Sequence, residues 1–332
     1  MKIDRRHFIA AMTAFIASCK GKPSASDSSI YDVYDPKMLD LILPQQELEV
    51  LGSGYTWSEG PAWDKARQTL YFTDVPENIA YSWTQEKGVE IFLSPSSGGA
   101  ASESGANGLL YNKSGRLLIC NHGQRSVEEY NLKTKERKTI TKKYKGQSYN
   151  SPNDIIESRS GDVFFTDPPY GLEGLNASPL KELAHNGVYR VTRGKAAELL
   201  IDDLDFPNGI VLSPDETTLY VAQSSPEAQN IYTLDLTAPN QPRKLFADLN
   251  SYAGPDAPGL PDGMVVDQHG NLFATGPGGV FVINPEGKIL GRIKTGKASA
   301  NCTFGEDGST LFITNHDRLV KLKTQTKGLS WT

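Results

Sequence analysis

The sequence holds only three cysteines in 332 residues, too few for the disulfide framework that staples small secreted domains. No apolar run reaches the ~18 residues needed to span a bilayer as a helix. There is no basic excess: 34 Lys and Arg stand against 39 Asp and Glu, for a net charge of −5. That balance speaks against a nucleic-acid surface. No amphipathic helix of about 12 residues separates the strand-like runs, which excludes a parallel α/β sheet. No G-x-S-x-G elbow, P-loop or dinucleotide fingerprint occurs, which disfavours serine-hydrolase and phosphate-cradling chemistry. What is present is aromatic and rich in turn formers. The 4 Trp, 14 Tyr and 12 Phe exclude a disordered chain. The 31 Gly and 20 Pro point to many turns between many short strands.

The N-terminus reads as an address. Met1-Lys2-Ile3-Asp4-Arg5-Arg6-His7-Phe8-Ile9 leads into an apolar run ending at Ala17, then Ser18-Cys19. A basic start, a short apolar core and small residues before Cys19 fit an export signal over 1–18. The pair Arg5-Arg6 resembles a twin-arginine signal, and Ile16-Ala17-Ser18-Cys19 resembles a lipobox whose cysteine becomes lipid-modified. The expected location is the bacterial envelope, periplasmic or lipid-anchored, with any membrane contact through Cys19 alone. Residues 19–45 read as a tether, most plainly the stretch from Lys20 to Tyr31.

Internal repetition sets the architecture. A polar residue near a turn, usually followed by Gly, precedes a Gly- or Ser/Thr-led apolar run about ten residues later. The pairs are Glu59-Gly60 with Leu70–Thr73, Asn107-Gly108 with Leu117–Cys120, and Asn153-Asp154 with Val163–Thr166. Next come Asn208-Gly209 with Leu219–Ala222, Asp262-Gly263 with Leu272–Thr275, and Asn301-Cys302 with Leu311–Thr314. The polar positions are separated by 48, 46, 55, 54 and 39 residues. Three to four short strands in each interval is the arithmetic of propeller blades. Length alone would suggest about two domains; the repeats instead predict one all-β, six-bladed β-propeller over 46–332. The early segment Glu47–Leu51 is expected to add an N-terminal strand to the short last blade and close the ring. The longest insertion, 173–185, reads as a loop or short helix over one face.

Repetition places Glu59, Asn107, Asn153, Asn208, Asp262 and Asn301 at equivalent spots, where each blade's first strand begins. First strands line a propeller's central channel, so the six side chains should converge at one end of the axis. Turn chemistry would explain Asn-Gly or Asp-Gly in any one repeat. It explains the set less well, because Glu59 is a poor turn residue. Two carboxylates and four amides make an oxygen-rich set that suits Ca2+. Zinc would want His or Cys at ligand spacing, and the histidines beyond the signal, His122, His185, His269 and His316, are scattered.

These residues carry a resemblance. Thr56–Trp63, Asn121-His122-Gly123, Asn150–Ile155, Phe165–Gly171, Pro207-Asn208-Gly209, Pro261–Met264 and Asn301–Gly305 resemble the senescence marker protein/gluconolactonase/luciferin-regenerating family, bacterial gluconolactonases above all. The resemblance spans roughly 46–325. It implies one divalent metal, usually Ca2+, held here by Glu59, Asn153 and Asp262 with Asn208 near or on it; Zn2+, Mg2+ and Mn2+ are the other candidates. It implies hydrolysis of a sugar lactone, with Asp262 as proton acceptor and the metal polarising the carbonyl. A carboxylate touching a dication should have a depressed pKa, and Glu59 is the alternative base. Asn107 matches a substrate-contacting Asn. The family's neighbouring substrate-contacting Arg is absent, with Ser104 or Gly105 in its place.

His122 is expected at the channel mouth, binding substrate, shuttling a proton or serving as a hydrogen-bonded rim residue. Tyr170 is expected as a pocket wall and Asn301 as a further substrate contact. Cys120 and Cys302 read as buried free thiols, Trp57 and Trp63 as core. The expected partner is a small lactone, with no nucleic acid, on a monomer or dimer. Two rivals stand beside this reading: a paraoxonase-type aryl esterase, and a non-catalytic ligand-binding propeller with a structural metal.

Overall fold

A computed structural model describes residues 29–99, 104–238 and 242–329. Its strands fall into six sheets arranged as blades and one small two-stranded ladder, Lys143–Tyr144 with Gln147–Ser148. Blade one is Ser58–Asp64, Thr69–Asp74, Ile79–Thr84 and Gly88–Leu93. Blade two is Ala106–Tyr111, Arg116–Asn121, Ser126–Asn131 and Arg137–Thr141, and blade three is Ile155–Glu157, Val163–Asp167, Gly187–Val191 and Glu198–Ile201. Blade four is Pro207–Leu212, Thr218–Ser225, Ala228–Asp235 and Lys244–Asp248. Blade five is Met264–Val266, Leu272–Gly276, Gly279–Ile283 and Ile289–Lys294, and blade six begins Asn301–Gly305, Thr310–Asn315 and Arg318–Lys323. Each innermost strand touches that of the next blade, and the last touches the first, so the sheets form a closed ring.

The closure comes from the N-terminal side, as the repeats predicted. Glu49–Ser53 pairs antiparallel with Arg318–Lys323 as the fourth strand of blade six. Sewing the start of the chain to its last blade removes an open sheet edge.

The tether expected over 19–45 is corrected from residue 29 onward; the export signal, Cys19 and the rest of the tether lie outside the described residues. Tyr31–Val33 adds a fifth strand to blade five, and a short 3-10 turn, Pro36–Asp40, follows. Met38 and Ile42 are fully buried, in one cluster with Phe273, Val280 and Ile293. The physical reason is apolar spacing. Tyr31, Met38, Leu41 and Ile42 cover the outer side of blades five and six, and burying them offsets the ordering entropy that a polar linker could not.

The second strand of each blade is buried along nearly its whole length. Both faces of an inner strand meet neighbouring blades, so it reads as continuous apolar sequence rather than alternation. The 173–185 insertion holds only a three-residue 3-10 turn, Leu175–Ala177. Among the described residues no helix is long and apolar enough to cross a membrane.

Candidate functional site

In four blades the segment leading into the polar motif is held by the end of the second strand. In blade one the Asp74 carboxylate accepts from Thr56 N at 2.9 Å and Trp57 N at 3.0 Å. In blade three Asp167 accepts from Asn150 N and Ser151 N, both at 2.8 Å. Asn121 and Asn315 do the same work as donors, to the carbonyls of Ser97 and Lys297. One residue earlier, hydroxyls reach the next blade: Thr73 donates to the Asn107 carbonyl and Thr166 to the Asn208 carbonyl. The repeated Asp/Asn and Thr at strand ends are thus the braces that aim the motifs inward.

The innermost strands come close at the axis. A Cβ on Gly108 would overlap the Asn153 carbonyl oxygen, and one on Gly209 would overlap that of Asp262. Glycine is therefore required by backbone approach at these two positions. Blade three breaks the pattern by placing Asp154 there. Its carboxylate bonds to the adjoining blade, accepting from Ile210 N at 3.1 Å. It also reaches the Asn301 amide of blade six, 3.5 Å away.

Around this floor stand the six predicted side chains, all buried except Asp262, which is half-buried. Glu59 accepts from Gly60 N at 2.9 Å, and from the Trp57 indole and the Asn301 amide. Asn208 Nδ2 donates to Ser224 Oγ at 2.9 Å. Asn107 Nδ2 sits 3.2 Å from His122 Nε2. That contact fixes the Asn107 amide against the imidazole ring, with the donor set by the histidine tautomer. Tyr170 stacks on Phe206, centroids 5.5 Å apart, and its hydroxyl hydrogen-bonds to Ser224 and Asn208.

The electrostatics are those of an unbalanced acidic floor. Burial is the main cause of every shift. It pushes Glu59 up to about 8, aided by Asp154, and Asp154 up to about 6. Asp262 is held well above the ordinary carboxylate range by burial and by the charges of Glu59 and Asp154. Three polar oxygens, Oδ1 of Asn107, Asn208 and Asp262, are buried without any hydrogen-bond partner. Such atoms normally find one. Among the described residues no three His, Cys, Asp or Glu side chains form a metal cluster by themselves. Carboxylates and amides together, with orphaned oxygens and surplus negative charge, fit a hard dication that takes oxygen ligands. Glu59, Asn153, Asn208 and Asp262 are the residues that would hold it.

A stability prediction follows for the metal-free protein. Glu59 and Asp154 have folded pKa values above their unfolded values of ~4.3 and ~3.9, and Asp167 is pushed by burial up to about 7. The folded state therefore binds more protons, and stability rises as pH falls. In chelator, the melting temperature should be several degrees higher at pH 5.5 than at pH 8. Adding Ca2+ should shrink that difference by raising the pH 8 value. Differential scanning calorimetry checks both.

Two site residues escape the repeat pattern. Asp154 was signalled only by its replacement of the Gly that follows the polar residue in four of six repeats. Trp57, expected in the core, is half-buried at the rim with its ring 5.4 Å from His316. It is diverted because its N–H has a partner at Glu59. Trp63 does pack in the core, stacked on Phe312, and Cys120 and Cys302 are buried free thiols. A cavity of about 570 Å3 beside the 173–186 segment, lined by Lys181, Glu182, His185, Asp202, Asp203 and Asp205 among others, shares no residue with the channel.

A gluconolactonase of Zymomonas mobilis is 39% identical, over 96% of this chain and 95% of that protein. The solved structure of a gluconolactonase from Xanthomonas campestris is 32% identical with a TM-score of 0.77, covering 93% of this chain and 99% of the other. Regucalcin from Agrobacterium tumefaciens, described as a calcium-binding protein, shares the fold with a TM-score of 0.68 at 19% identity, covering 85% of this chain and 95% of the other. The family described as SMP-30/Gluconolactonase/LRE-like region matches residues 57–317, and the chain belongs to it.

Proposed function

We propose that this protein is a divalent-metal-dependent lactonase that hydrolyses a sugar lactone such as gluconolactone. The observation that carries the reading is the channel floor, where the buried Glu59 and Asp154 and the half-buried Asp262 stand together beside orphaned amide oxygens. The full-length similarity to a gluconolactonase supports the substrate class. Ca2+ is the metal the all-oxygen donor set favours. When bound, it supplies Lewis-acid polarisation of the lactone carbonyl and stabilises the developing oxyanion.

The chain's own residues do the rest. Asp262 Oδ1, buried with no partner, accepts the proton of the water that attacks the carbonyl carbon and returns it to the ring oxygen as the acyl C–O bond breaks and the ring opens to the hydroxy acid. Glu59, pinned by Gly60 N, Trp57 and Asn301, would hold the metal. Asn107, fixed through His122, offers its free Oδ1 to a sugar hydroxyl. Tyr170, with Phe206 behind it, walls one side of the site. The N-terminal motif around Arg5-Arg6 and Cys19 supports an exported, lipid-anchored protein, which intact mass of the mature N-terminus checks.

The test is δ-gluconolactone hydrolysis in a pH-stat. Acid release well above the spontaneous rate is expected with Ca2+, and a fall of at least tenfold after chelation, restored by readdition. Chelation that lowers the melting temperature, with no hydrolysis of any lactone in either state, would establish a binding propeller instead.

A further inference from the structure

Two aromatic pairs border the polar floor, one through Trp57 beside Glu59 and one through Tyr170 beside Asn208. Trp57 is fixed at its backbone by Asp74 Oδ1 at 3.0 Å and at its indole N–H by Glu59. Its ring lies against His316, at 59° between planes. His316 sits in the turn between the second and third strands of blade six, in the left-handed region at φ 56°. Its carbonyl accepts from Ser58 N at 2.7 Å and Ser58 Oγ at 2.9 Å. A turn in the left-handed region and two hydrogen bonds from Ser58, the residue between Trp57 and Glu59, hold the pair in register with the floor. The second pair, Tyr170 on Phe206, stands at the junction of blades three and four. In a six-bladed ring the six–one and three–four junctions are half a turn apart. The two pairs therefore occupy opposite sides of the floor, with the carboxylates and amides between them.

Resting on the lactonase reading, we infer that Trp57, backed by His316, is a specificity-determining platform for one face of a six-membered lactone ring. A ring whose hydroxyls are equatorial presents axial C–H groups on its faces and polar groups at its edge. A fixed, half-exposed indole matches such a face, while amides such as Asn107 meet the edge. Small-molecule sites commonly divide labour in this way, between aromatic walls and a few placed polar groups. The floor alone does not distinguish a ring from an open chain; the platform does.

The experiment uses the full chain with Ca2+ and two variants, Trp57→Leu and Trp57→Phe, each checked for an unchanged melting temperature. Binding of the non-hydrolysable ring 1,5-anhydroglucitol is measured by calorimetry, and δ-gluconolactone kinetics by pH-stat. Trp57→Leu should weaken 1,5-anhydroglucitol binding and raise KM by ~5-fold each, the size of one lost aromatic contact. Trp57→Phe keeps a ring and should restore both, its lost N–H appearing in kcat alone. Unchanged binding and KM in Trp57→Leu with a lower kcat would overturn the platform and leave Trp57 as a prop for Glu59. Equal loss of binding in both variants would overturn it as well, as would a wild-type protein that does not bind 1,5-anhydroglucitol. A wild-type protein that binds this ring yet hydrolyses no lactone would sink the lactonase reading instead, and the binding ratio of the variants would still decide the platform.

Discussion

Asp262→Asn should lower kcat/KM for δ-gluconolactone by about three orders of magnitude while leaving the fold intact, the size expected of a lost general base. Asn is nearly isosteric and keeps one oxygen in the channel, so packing is undisturbed. It cannot take a proton, and it removes a negative charge from the floor. The same change should raise the melting temperature in chelator, because Asp262 is a buried carboxylate whose Oδ1 has no partner and whose neighbours are Glu59 and Asp154. An uncompensated buried charge costs the folded state. Loss of function with gain of metal-free stability is the signature of a residue kept for chemistry. A pH-stat assay and calorimetry read the two effects. An activity loss below tenfold would remove Asp262 from the role of proton acceptor.

Much of this architecture was visible in the residues because a propeller repeats its constraints. Every blade needs a backbone that passes close to the axis, so Gly108 and Gly209 recur. Blades need a brace at the end of the second strand, so Asp74 and Asp167 recur as the last residues of theirs. Glu49–Ser53 was legible because blade six lacked a strand. The N-terminal arm was not, because Tyr31, Met38 and Ile42 are spread through polar sequence and acquire meaning only against blade five. Trp57 was misplaced because an indole near a strand start is apolar by default, and only the location of the Glu59 carboxylate draws it to the rim. The substrate itself was not legible, since the position of the family's neighbouring arginine holds Ser104 or Gly105.

Asp154→Asn should weaken Ca2+ binding by roughly 10- to 100-fold, the range seen when groups behind a metal's ligands are altered, and should raise the metal-free melting temperature at pH 7.5. Asp154 follows Asn153 directly and stands where four of the other five blades have glycine, so its carboxylate adds a third negative charge to the floor. Asp154 also ties blades together, through Ile210 N in blade four and Asn301 in blade six. The sign of the stability change follows from its protonation. Its folded pKa, about 6, lies above the unfolded value of ~3.9, so above pH 6 the ionised group destabilises the empty fold. Asn removes that cost and retains an oxygen for the Ile210 N–H. A purely structural Asp154 would behave in the opposite way: the variant would melt lower in chelator and bind Ca2+ as tightly as wild type. Calorimetric titration and melting in chelator separate these outcomes without any activity measurement. The residue that departs from the repeat is thus expected to cost the ring stability when the channel is empty and to contribute charge when a cation fills it.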